Sequence, residues 1–247
     1  MRTVVEERDA EHTSKLPVWV GKTIWSNLPL LLAMDAVLFV GAVPAVTLFF
    51  GGSFLLAPLV GALTLGPLWA GTVASTDRMI RDEIVSLRTF AKMVRYHAGR
   101  GVRVSVIPAI VITAILGTLA ILEARPDVRW LFIPLFVDAS VLILVLLAGF
   151  SAVSLVTTGG LKGWTLWRTS LQVVAADPMI TLGTMALLVL LGLLVSQVPG
   201  LLLLLPAPLA VHLSASTRLT VWRQEDEAKN ERHAFLGRHH NEHGGRR

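Results

Sequence analysis

Apolar residues in this chain are gathered into six blocks, 24–50, 54–75, 104–123, 130–156, 178–196 and 198–217. Each is close to or above the roughly 20 residues that carry a helix across the hydrocarbon core of a bilayer. This blocking constrains the fold more than any other feature, because a backbone crossing lipid must satisfy its own hydrogen bonds. Only helices and closed barrels do so, and a barrel would show short alternating segments instead. Charge content agrees: 16% of the 247 residues are charged and 53% are apolar, against about 25% charged in a soluble domain. Mean hydropathy is +0.65. The expectation is an all-α, polytopic integral membrane protein, a six-helix bundle of three hairpins with cytoplasmic amphipathic helices. Its transmembrane domain would span 24–222, between an N-terminal interfacial arm (1–23) and a polar tail (223–247).

Of the 22 Lys and Arg, 20 fall on alternate connections, and Arg125 and Arg129 fall on the other side. The N-terminal arm holds four, the segment between the second and third blocks seven, the segment between the fourth and fifth two, and the chain from Arg218 onward seven. By the positive-inside rule that side is cytoplasmic, and both termini with it. The net charge of +5 therefore reads as topology and affinity for anionic lipid, not as nucleic-acid binding. The first block follows a polar, acidic arm containing Glu6, Glu7, Asp9 and Glu11, so it reads as a retained helix and not as a cleaved signal.

Two cytoplasmic connections carry helical periodicity. In the first, Ile80, Ile84, Leu87, Ala91 and Val94 recur at steps of four and three, with Arg81, Arg88, Lys92 and Arg95 on another face. That spacing predicts an amphipathic helix lying on the membrane surface. In the second, Trp164, Trp167, Leu171 and Val174 form a stripe, with Lys162 and Arg168 turned away. Arg81, Arg88, Phe90, Lys92, Arg95, Trp164, Trp167 and Arg168 are thus candidates for docking a partner or anionic lipid. Asp177-Pro178 is fit to cap and open the fifth span.

Three ionisable residues fall in the interior of apolar blocks, away from their ends: Asp35, Asp138 and His212. A charged group near the bilayer centre costs at least about 2.5–3.5 kcal/mol, so each must face the bundle interior. Two readings stay open. The three groups, with Thr181, Thr184, Ser214 and Ser216 near them, would bind a proton, a cation or a polar solute. Alternatively they are neutral or hydrogen-bonded groups that hold helices together. The chain has no cysteine, which excludes a thiolate metal site or nucleophile. His233, His239, His240 and His243 sit in a polar tail without a scaffold for a metal. GGLKG at Gly159–Gly163 lacks the P-loop pattern, and the zinc-protease, nucleophile-elbow and dinucleotide motifs are absent. Neither a cofactor nor a metal is expected, and an enzyme reading survives only as an intramembrane lipid-modifying one.

A series of short motifs carries a family resemblance. WSN at Trp25–Asn27 opens the first span, VPAVT at Val43–Thr47 ends it, GPLWAG runs over Gly66–Gly71, RTFAKMVR over Arg88–Arg95, and Asp177-Pro178 opens the fifth span. In this order they resemble the YesL family of bacterial integral membrane proteins, over roughly residues 20–220. Here FFGGSFLLAPLVGALTL stands between the Pro-x-x-Thr and GP elements, lengthening both helices. The resemblance implies a multi-pass protein of the bacterial cytoplasmic membrane. It also implies a place in carbohydrate uptake beside the permease or ATPase subunits of an ABC importer, and it brings no catalytic residues. The expected function is a non-enzymatic accessory subunit of such an importer. The alternatives are a self-contained, proton-coupled or small-solute transporter using Asp35, Asp138 and His212, and the intramembrane enzyme.

Overall fold

Proline and glycine set the helix boundaries. The structure, a computed structural model, describes residues 20–81, 83–125, 129–159, 163–176 and 205–218, with a few positions between 183 and 197. Helical residues 20–26 stop at Asn27, because Pro29 has no N–H and its ring opposes the carbonyl one turn back. Asn27 marks the break by donating its Nδ2 to the Thr23 carbonyl, 3.0 Å away. Helix α1, Leu28–Phe50, then starts with that proline in its first turn. It ends at a turn in which Gly52 takes φ +85° and Ser53 N–H returns to the Leu48 carbonyl, the left-handed ending that glycine permits.

Helix α2, Ala57–Ile80, packs back on α1. Gly41 faces Leu68 while Gly61 faces Ala45, so the two run antiparallel. Helix α3, Leu87–Ala124, is 38 residues long, or about 57 Å at 1.5 Å per residue. Ser86 caps it, accepting a hydrogen bond from Thr89 N–H. After a single 3-10 turn at Arg129–Leu131 come α4, Phe132–Gly159, and α5, Gly163–Ala176. Residues 206–218 form a further helical segment. No strand occurs among the described residues.

Four described helices are long and apolar enough to cross a membrane: Leu28–Phe50, Ala57–Ile80, Leu87–Ala124 and Phe132–Thr157. Their outer faces carry large apolar side chains, among them Val40, Phe50, Ile133 and Phe136, on a scale that water would not support. The chain is an α-helical membrane protein. Residues 1–19 of the N-terminal arm, Asp177-Pro178, Thr181, Thr184, most of the fifth span, the start of the sixth and the histidine tail lie outside the described residues.

One expectation is corrected. The first basic connection is not a separate helix on the membrane surface. Its first residues extend α2 to Ile80, Ile84 stands 98% exposed in the loop between the helices, and Leu87 onward is continuous with the third span. The reason is backbone contact. A Cβ on Gly101 would strike the Gly66 carbonyl, and one on Gly71 would lie 2.8 Å from the Val94 Cα. Small residues let membrane helices approach this closely, and the basic half of α3 is thereby packed along α2.

Among the described residues, two clusters make the core. Ala70, Val73, Val104, Ala152, Val153 and Val156 join α2, α3 and α4, with Leu166 and Val173 of α5 and Ala210. Leu31, Met34, Met79, Ile80 and Phe90 join α1, α2 and α3 around Ala207, Val211 and Ala215. The 206–218 helix belongs to both clusters, so it lies at the centre of the bundle.

Candidate functional site

That central helix starts at Pro206, preceded by Leu205, a residue with no side-chain oxygen to cap it. The first N–H groups of a helix have no partner inside it. Asp35 supplies one from α1: its Oδ1 accepts a hydrogen bond from Ala207 N–H at 2.7 Å. The carboxyl group is 1% exposed, and Oδ2 has no partner among the described residues. An aspartate is a preferred cap of a helix N-terminus, and the positive end of the helix dipole favours it. Asp35 does this in trans, from another helix.

No hydrogen bond or ion pair joins Asp35, Asp138 and His212 among the described residues. Asp138 is half-buried on α4 beside the exposed Phe136 and Val137. His212 is half-buried between the buried Val211 and Leu213. Ser214 is buried elsewhere, with its Oγ 3.0 Å from the Thr76 Oγ1 and 3.4 Å from the Val73 carbonyl.

Beside Arg218, the last described residue of the central helix, lies a second buried carboxylate. Asp77, 6% exposed, accepts Arg218 Nε on Oδ1 and Arg81 Nη2 on Oδ2, the latter at 3.0 Å. Arg81, a docking candidate from its position in the sequence, is thus held by Asp77 one turn before it. Beside this group, Arg78 Nε is 3.8 Å from Glu83 Oε2. Arg100 donates to the Val156 carbonyl at 3.4 Å and stacks its guanidinium 5.5 Å above the Tyr96 ring. Tyr96 meets the buried His97 edge-on, with ring centroids 4.8 Å apart.

The other docking candidates divide. Phe90 is 4% exposed in the core with Met79 and Ile80, so it does not face a partner or lipid as expected. It turned inward because α3 packs on α2 and does not lie alone on a surface. Arg88, Lys92 and Arg95 are exposed, and so is Arg103. Spaced four, three and eight residues apart, they share one face of α3, and none has an acidic partner among the described residues. On α5, Trp164 is 81% exposed and Arg168 is exposed, whereas Trp167 packs against the α2–α3–α4 core. The buried face of α5 is Leu166, Ser170 and Val173, while Trp164 and Leu171 of the periodic stripe are exposed.

Sequence reasoning missed Asp77, His97, Arg100 and Arg218 as members of one cluster. The i,i+4 pair of Asp77 and Arg81 was legible, but it fell in a segment read as surface. No family model, curated protein or solved structure matches the chain.

Proposed function

We propose that the chain is a non-enzymatic accessory subunit of a membrane solute-uptake system, docking its partner through the exposed stripe of Arg88, Lys92, Arg95 and Arg103 on α3. That stripe is the observation that supports the reading. It covers about 22 Å along a helix packed on the bundle, while the polar layer on each side of a bilayer is only about 5–8 Å deep. Anionic headgroups therefore meet part of it, and an acidic protein surface suits its whole length. The positive-inside rule puts this end of the bundle in the cytoplasm, with both termini, and the resemblance to the YesL family points to the bacterial cytoplasmic membrane. The same resemblance, and nothing else, names the partner class: permease or ATPase subunits of a carbohydrate ABC importer.

The capping role of Asp35 argues for this reading over a transporter built on Asp35, Asp138 and His212, since the aspartate already has a structural task. The decisive experiment is affinity purification of the tagged protein from native membranes in mild detergent. Importer subunits should follow the wild type and be lost from an Arg88→Glu/Lys92→Glu/Arg95→Glu variant that still reaches the membrane. A protein that purifies alone from membranes containing the importer overturns the proposal.

A further inference from the structure

Where α2 ends, α3 begins and α4 ends, the described residues line a half-open polar cavity of about 560 Å³. Its walls include Arg78, Arg81, Arg100, Tyr96, His97 and Glu83. The charges do not cancel. Asp77 is engaged by two guanidinium groups, Arg81 and Arg218. Glu83 is the other described carboxylate on the wall, 3.8 Å from Arg78. Arg100 has no carboxylate partner among the described residues; a carbonyl and the Tyr96 ring hold it, leaving most of its five donors unused. His97 is 4% exposed, and its Nδ1 has no partner among the described residues, the kind of buried atom that a bound polar group satisfies.

We infer that this cavity is a binding site for a phosphate ester, gripped by Arg100 and Arg78 and bounded by Tyr96 and His97. Guanidinium groups present paired donors that match phosphate oxygens. The pre-existing hold on Arg100 fixes its plane before a ligand arrives, which lowers the ordering cost of binding. The volume is in the range of small-molecule pockets and exceeds what a bare phosphate needs. It suits a phosphate carrying a small polar body, such as a phospholipid headgroup or a soluble phosphate monoester. The inference is independent of the docking stripe, whose residues lie elsewhere on α3.

The test uses the full-length protein in detergent and in nanodiscs. The probes are glycerol 3-phosphate, read by isothermal titration, and phosphatidic acid in phosphatidylcholine nanodiscs, read by native mass spectrometry of retained lipid. Arg100→Gln and, separately, Arg78→Gln should each weaken binding by at least about tenfold, the loss of one charge-assisted contact. Lys22→Gln, which removes an exposed cation, should not change it. The Arg78 side chain makes no hydrogen bond among the described residues, only the 3.8 Å approach to Glu83, so that variant keeps the test valid if Arg100→Gln fails to fold. Saturable glycerol 3-phosphate binding identifies a soluble ligand. Retention of phosphatidic acid alone identifies a headgroup. Binding of neither probe, or equal loss in Lys22→Gln and Arg78→Gln, overturns the inference.

Discussion

Asp35 and Asp77 are buried to nearly the same degree, 1% and 6% exposed, and both hold the same helix, Asp35 at its first turn and Asp77 through Arg218. They hold it by different means. Asp35 meets a single backbone N–H among apolar neighbours such as Leu31 and Met34, so it works as a cap and through the helix dipole. Asp77 meets two guanidinium groups, one of them Arg218 of the helix it holds. An anion at a helix N-terminus opposes the dipole favourably. The difference is one of consequence. A lone hydrogen-bonded carboxyl can be lost at the cost of one orphaned N–H, whereas removing Asp77 strands charges in a partly buried site.

The largest effect is therefore expected from Asp77→Ala. Removing one partner of a buried pair costs about 3–5 kcal/mol; Arg81 is half-exposed and adds little, so the loss should lie near the lower figure. Equilibrium unfolding in mixed micelles measures it, and adding Arg218→Leu should recover part of the loss by removing the stranded guanidinium. An equal or larger loss in the double variant would break the contrast.

Asp35 should come second. Asp35→Ala leaves the Ala207 N–H unsatisfied, which costs about 1–3 kcal/mol, while Asp35→Asn keeps an acceptor oxygen and should cost under about 1 kcal/mol. The same pair of variants sharpens the functional reading. If a solute-uptake assay fails with Asp35→Asn while the protein stays folded, the carboxyl works in transport and its capping role is incidental.

The smallest effect belongs to the neutral contact between the two aspartates. Ser214→Ala removes the hydroxyl facing Thr76 Oγ1 and should cost about 1 kcal/mol, the ordinary net value of a hydrogen bond. A double-mutant cycle with Thr76→Val should give a coupling of at least about 0.5 kcal/mol. Additivity would mean that each hydroxyl is satisfied by the Val73 carbonyl, which both also meet.

Much of this was legible without coordinates. Apolar block length and the sparsity of charge specify a helical membrane protein, since lipid offers the backbone no hydrogen bonds and leaves few other solutions. The same rule demands that Asp35 point inward, because an exposed carboxylate in lipid is too costly. Pro29 and the glycines at 51 and 52 mark where the first helix starts and stops, because their backbone constraints are local. Pairing is not local. Hydropathy periodicity is blind to whether a basic amphipathic stretch lies on lipid or along another helix. Here the contact of Gly66 with Gly101 and of Gly71 with Val94 decided for the latter, turned Phe90 inward and left Arg88, Lys92, Arg95 and Arg103 outside. Which N–H the Asp35 carboxyl would cap, and that Asp77 would gather Arg81 with Arg218 across 137 residues of chain from one to the other, followed only once the central helix was packed. Composition and spacing act within a turn or two of the chain, whereas partners distant in sequence meet only through the packing of whole helices.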